Sequence, residues 1–418
     1  MNLRISSQIA RTHLLTRKRQ TLVAMLGVTF GIAMFIVMIS FMQGVNQFLE
    51  DSALDASPHV RMYNEVNTQR PSLIDELKPG DQHFNVVYHQ KPKDQSAKLK
   101  NGLVIARRIE QEPGVLGVSP QVSSQVFYNN GPIQISGTIA GVDMEREDRL
   151  YDLNRRVRSG SLRALLSNPN GIVMGSALAQ KLNVRAGDKV SVTTPLGGTM
   201  ILRVVGTFSF GIATIDNVKS YANLATVQEI LQQDGSYITD IHVKMLDPLQ
   251  AIPFGKRLRA KYHYYTEDWA TMNTAILAGE RIRNVMTFVV SMTLLVVAGF
   301  GIYNIMNMNV INKIKDIAIL KATGFDGGDI VAIFLLQAII IGVSGGLLGL
   351  LIGFSLSYLL DITPFDTGGM IDLKTFPVIY DPRYYVMGLL FGVITTILAG
   401  YMPSKKASKV DPVAILRG

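Results

Sequence analysis

From Leu22 to Met42 the chain reads LVAMLGVTFGIAMFIVMISFM, an unbroken run without a charged residue. At 1.5 Å per residue a helix of this length measures roughly 31 Å, the thickness of a bilayer's hydrocarbon core. The run is too long for the apolar part of a cleavable signal peptide. Gln43-Gly44-Val45-Asn46, which follows it, offers no small-x-small cleavage site, so an uncleaved anchor is predicted. Three similar runs follow, between Arg283 and Lys313, from Ile330 to Leu360 and from Tyr384 to Met402. The second and third exceed about 40 Å as straight helices, which predicts tilting, kinking or extension beyond the bilayer.

The pattern predicts an α+β membrane protein. Four transmembrane helices carry a large mixed α/β extracytoplasmic domain inserted between helices 1 and 2. Residues 1–45 form the N-terminus and first span, 46–283 the outer domain, and 284–418 the remaining spans, with an inner loop at 312–329 and a tail. Hydrophobic residues make up 48% of the chain and charged residues only 17%, and the apolar ones concentrate in the four runs. There is no cysteine, which excludes disulfides, thiolate metal sites and lipidated cysteines.

The net charge of +9 is topological rather than a nucleic-acid footprint. Arg4, Arg11, Arg17, Lys18 and Arg19 crowd the first twenty residues, and Lys405, Lys406, Lys409 and Arg417 the tail. The loop between Asp361 and Arg383 has only Lys374 and Arg383. The positive-inside rule therefore predicts both termini in the cytoplasm and the inserted domain outside.

Small residues recur at helical spacing: Gly27 and Gly31 in the first span, Gly345, Gly349 and Gly353 in the third, Gly388 and Gly392 in the fourth. They predict close helix packing. No Asp, Glu, Lys, Arg or His interrupts any run, which argues against an ion-coupled transporter or channel.

In the inserted segment a helix is expected over 101–112, stopped by Pro113-Gly114, then strand, turn and strand through Asn129-Asn130-Gly131-Pro132. Further expectations are helices at 176–184 and 223–231, and strands at 190–192, 200–205 and 237–243. Residues 63–100 read as an extended loop. Chemistry is sparse. His83 and His89 lack a nearby acid at ligand spacing, no helical zinc motif occurs, and no G-x-S-x-G is present. Gly255-Lys256 lacks the upstream glycine of a phosphate-binding loop and reads as a basic surface turn. No catalytic or metal residue is assigned. Trp269 reads as an interfacial or core anchor.

The inner loop, Asn312-Lys313-Ile314-Lys315-Asp316-Ile317-Ala318-Ile319-Leu320-Lys321-Ala322-Thr323-Gly324-Phe325, places Ile314, Ile317, Ala318 and Lys321 at 3/4 spacing, with Gly324 as a helix-ending glycine. Such a helix is too apolar to stand free and too short to span. It lies in the interface or docks into a partner's groove.

The Asp316–Gly324 run, followed by a third span, resembles the coupling loop of the MacB/FtsX-type permeases (type VII ABC transporters), with Asp316 where Glu is commoner. The tail from Pro403 to Arg417 resembles the family's closing pattern. Gly141-Val142-Asp143, Gly175-Ser176-Ala177-Leu178-Ala179 and Gly187-Asp188-Lys189-Val190 have counterparts in order. The resemblance covers nearly the whole chain. It implies that Ile314, Lys315, Asp316, Ile317, Ile319, Leu320, Lys321 and Gly324 couple to a separate cytoplasmic ABC ATPase, present in two copies. It implies a second permease subunit, ATP and Mg in the ATPase rather than in this chain, and a motion relayed outward without substrate passing between the helices.

Within that family three roles are expected: lipoprotein release as in the Lol permeases, efflux through a tripartite pump, or signalling to a cell-wall hydrolase. The stretch from Thr266 to Asn273 looks Lol-like. The tight turn at 194–199 leaves no room for the projecting arm of the chaperone-recruiting Lol subunit. If lipoprotein or another amphiphilic cargo enters from the outer leaflet, Met34, Phe35, Met38, Phe41, Met42, Phe288 and Met292 are expected to meet it. A further periplasmic partner is compatible with this reading; nucleic acid is not.

Overall fold

The computed structural model describes residues 3–16, 18–65, 96–195, 197–365, 373 and 375–416. Most of the stretch read as an extended loop, with His83 and His89, lies outside the described residues. Two compact units divide the chain: one takes residues 1–49, 278–366 and 373–418, the other is built on 50–277.

Four helices of the first unit are long and apolar enough to cross a membrane: Lys18–Ala56, Thr274–Asn312, Gly327–Ile362 and Pro382–Ser408. Each contains one expected run and outlasts it, because the polar residues beyond the run still favour helix. An N-terminal helix, Leu3–Thr16, precedes them, and short helices at Ile314–Ala322 and Pro412–Leu416 follow the second and fourth. The starts of the third and fourth spans are capped. Asp326 and Asp329 form a capping box, and the Asp381 carboxylate accepts from the Arg383 N–H at 2.8 Å behind Pro382.

The glycine ridge of the third span seats the first span. A Cβ added at Gly345 would lie 3.0 Å from Val28 Cβ, at Gly349 2.9 Å from Ile32 Cβ, and at Gly353 2.9 Å from Ile36 Cβ. Val28, Ile32 and Ile36 recur every four residues, so one aliphatic stripe fills one glycine groove. Gly388 and Gly392 of the fourth span bring their backbone against Phe35 and Ile32 in the same way. Gly31 makes ordinary contact with Ala298, 3.4 Å from an added Cβ. Gly27 departs from expectation: an added Cβ would meet nothing within 4 Å, so it packs no helix. Its four-residue spacing from Gly31 puts it on the same face, but the third span meets this turn through Met25 and Val28 instead.

The second unit carries a ten-stranded sheet. Its strands are β1 (Val60–Tyr63), β2 (Val115–Asn130), β3 (Ile133–Val142), β4 (Val157–Gly160), β5 (Gly171–Gly175), β6 (Lys189–Thr193), β7 (Thr199–Phe208), β8 (Lys219–Asn223), β9 (Asp240–Met245) and β10 (Tyr265–Asp268). The order is β10-β1-β9-β2-β3-β8-β5-β7-β4, with β6 bridging β2 and β7. β2 joins two lobes. Its first half pairs with β9, from Val115 opposite Met245 to Gln121 opposite Asp240. Its second half pairs with β3, from Val122 opposite Gly141 to Asn130 opposite Ile133.

Around the β9 half, Val60, Ile109, Val118, Ile241, Phe254 and Leu258 form one core. Trp269 is buried there, and its Nε1 donates to the Pro248 carbonyl at 3.2 Å. Around the β3 half, Val126, Tyr128, Ile139, Leu178, Val192 and Val227 form another. The expected helices at 101–112, 176–184 and 223–231 appear as Gly102–Glu110, Ser176–Lys181 and Leu224–Ile230. Two expectations are corrected. Gly255-Lys256 is not a turn but lies inside the helix Ala251–Tyr262. Ala251, Phe254, Gly255 and Leu258 make its buried face, a helical period that the Gly-Lys pair masks. The strand expected from 237 starts at Asp240, because the Asp234 carboxylate accepts from the Ser236 N–H and holds Tyr237 in a turn.

Candidate functional site

Two places in the membrane-spanning unit gather the residues singled out from the sequence. The short helix after the second span, Ile314–Ala322, ends in a Schellman turn. Gly324 has φ +102°, its N–H donates to the Lys321 carbonyl, and the Phe325 N–H donates to that of Leu320. Ile317 and Ala318 are buried, and Ile317 packs in the core that holds Val310, Ile330 and Ala407. Lys321 donates to the carbonyls of Ser408 and Val410. Ile317 and Lys321 are therefore not free for a partner: the apolar face of this helix is spent on its own chain. Ile314 and Leu320 are half-buried. Lys315, Asp316 and Ile319 are exposed, Ile319 at 52%. Asp316 pairs with Lys313 at 2.6 Å.

At the other end of the first two spans lies a cleft of about 190 Å³. Phe35 and Ile39 line it from the first span, Phe288, Met292 and Leu295 from the second, Met387 and Phe391 from the fourth. Gln43, Asn284, Thr287 and Ser291 add a polar side. Gln43 and Asn46 both donate to Asn284 Oδ1, at 3.2 and 2.9 Å, and Arg283 Nε donates to Asn46 Oδ1 at 2.6 Å. The Arg283 Nη2 is buried without a hydrogen-bond partner among the described residues.

The cleft unites Phe35, Phe288 and Met292 but not the methionine stripe. Met34, Met38 and Met42 are half-buried outside its lining, and Phe41 packs edge-on against Phe376 at 6.0 Å. Gln43, Asn46, Arg283 and Asn284 were missed because polar residues at a span's end read as its boundary. Met387 and Phe391 carry no signal of their own, since only the packing of the fourth span brings them here.

Four apolar helices carrying an inserted α/β domain are the architecture of a membrane permease of the ABC-transporter type. Residues 21–261 match the family described as MacB-like periplasmic core domain, and residues 288–412 the family described as FtsX-like permease C-terminal. The first match spans more than half of the chain, and the chain belongs to that family. The lipoprotein-releasing system transmembrane protein LolC of Neisseria meningitidis is 24% identical, the match covering 95% of this chain and 94% of that protein. LolE of Haemophilus influenzae is 22% identical, over 94% and 92%. A macrolide export ATP-binding/permease protein MacB of Yersinia pestis is 23% identical, over 96% of this chain and 56% of that longer protein.

Proposed function

We propose that this chain is the permease subunit of a lipoprotein-releasing ABC transporter, oriented with both termini in the cytoplasm and the inserted domain outside. The observation that carries the reading is the cleft of Phe35, Phe288 and Met292 beneath the Gln43–Asn46–Arg283–Asn284 cluster. It offers apolar walls to an acyl chain and polar donors to the group that the chain is attached to, as an amphiphile requires. Phe35 and Met292 belong to different spans, so a relative movement of the two helices changes the cleft. Two copies of a cytoplasmic ATPase, holding ATP and Mg, supply that movement through the exposed Lys315, Asp316 and Ile319. A second permease subunit completes the assembly. The likeness to LolC and LolE along nearly their whole length supports lipoprotein as cargo. Efflux is the second reading, supported by the match to a macrolide exporter.

A photocrosslinker at Phe288 or Met292 in the assembled complex separates these readings. Capture of lipoprotein that is released on ATP addition is expected. Capture of bulk lipid alone, with normal lipoprotein sorting in a strain lacking the chain, would replace release by efflux.

A further inference from the structure

The N-terminal helix is pinned to the third span. Ala10 and Leu14 are buried, and His13 Nδ1 meets Gln337 Nε2 at 3.1 Å. Held there, it closes one side of a groove of about 540 Å³ whose other walls are the first and third spans. Leu22, Leu26, Leu348 and Ile352 line it. On the first span the lining runs from Lys18 to Thr29, about 16 Å of helix. That is half of the roughly 30 Å hydrocarbon core, or one leaflet.

The groove has a charged end. Arg11 and Lys18 line it there, and both are exposed. Neither pairs with a carboxylate among the described residues, and no Asp or Glu precedes Glu50 in the chain. Any bilayer lipid would wet the apolar walls. Two unpaired cations at the end of an acyl-length groove select among lipids by headgroup charge, each basic residue near an anionic surface counting for about five-fold in affinity.

We propose that this groove binds an anionic phospholipid, one acyl chain lying along Leu22, Leu26, Leu348 and Ile352 and the phosphate between Arg11 and Lys18. The site is separate from the cargo cleft and opens to the leaflet on the N-terminal side.

The test equilibrates the purified full chain with vesicles of equal parts phosphatidylcholine and phosphatidylglycerol, then measures the lipid retained by native mass spectrometry. The wild type should retain the anionic lipid at least about five-fold over the zwitterionic one. R11Q/K18Q should bring the ratio near one, and Ser344→Phe, which fills the groove, should lower retention of both. If the double variant fails to fold, the single variants each lower the ratio in part. A ratio near one in the wild type, or an unchanged ratio in the folded charge variants, overturns the proposal.

Discussion

Lys321 Nζ donates to the Val410 carbonyl at 2.8 Å, and to that of Ser408 at 3.0 Å, so the basic residue of the helix Ile314–Ala322 ties down the tail. Hydrogen bonds from a charged donor contribute about 1.5–3 kcal/mol each when half-buried. Lys321→Met should therefore lower the melting temperature in detergent and expose the tail after Ser408 to protease. A tail as resistant as the wild type's would refute the tie.

Ile317 and Ile319 stand two residues apart on opposite sides of that helix. Ile317→Asp buries an unpaired charge and should abolish expression of folded protein. Ile319→Asp, at an exposed position, should leave the unfolding free energy within about 0.5 kcal/mol of wild type while ATPase co-purification is lost. Normal co-purification with Ile319→Asp would move the docking surface elsewhere.

The glycine ridge predicts a contrast. Gly349→Ala puts a methyl 2.9 Å from Ile32 Cβ and from the Thr29 carbonyl and should cost about 1–3 kcal/mol. Gly27→Ala meets open space and should be neutral or slightly stabilising. Thermal unfolding of the two variants, side by side, checks the difference; equal costs would mean the spans do not meet at the ridge.

The outer domain should weaken in mild acid. Burial, with the Lys244 charge nearby, holds His59 down to about 4, and its Nδ1 accepts from the Met245 N–H at 3.0 Å. Burial likewise pushes His242 well below the ordinary value. In the unfolded chain both take up protons below about 6.5, while the folded domain resists. Their contribution is therefore complete above that pH and is lost progressively as pH falls from 6.5 towards 4. Burial raises Glu147, which acts in the opposite direction. H59Q/H242Q should show a smaller drop in melting temperature between pH 7 and pH 5 than wild type; an identical drop would assign the acid response to other groups.

Glu147 is buried against β2, accepting from Ser119 Oγ at 2.7 Å and Gln121 Nε2 at 3.1 Å. Glu147→Ala strands both donors and should cost about 1–3 kcal/mol for each, whereas Glu147→Gln retains an acceptor and should cost less. Denaturant unfolding of the two variants tests the order.

Much of the architecture was legible without coordinates. An uncharged run of bilayer length can satisfy its backbone only as a helix, so Leu22–Met42 fixed an element by length and composition alone. The ridge at Gly345, Gly349 and Gly353 marked its own packing face, since backbone can approach only where side chains are absent. The α/β content of the inserted domain followed from alternation and turn residues, as at Asn129-Asn130-Gly131-Pro132.

What the sequence left open was which apolar face meets which neighbour. The helix Ile314–Ala322 has isoleucines all round it, and periodicity cannot distinguish Ile317, buried by its own chain, from Ile319, left exposed. The same limit hid the cleft, where Phe35, Met292 and Phe391 come from three spans and the methionine stripe falls outside. Local sequence sets the conformation of each helix, because hydrogen bonding and solvent act residue by residue. Its rotation and its neighbours are set by the sum of many small van der Waals terms between segments far apart in the chain, and only the folded bundle decides that sum.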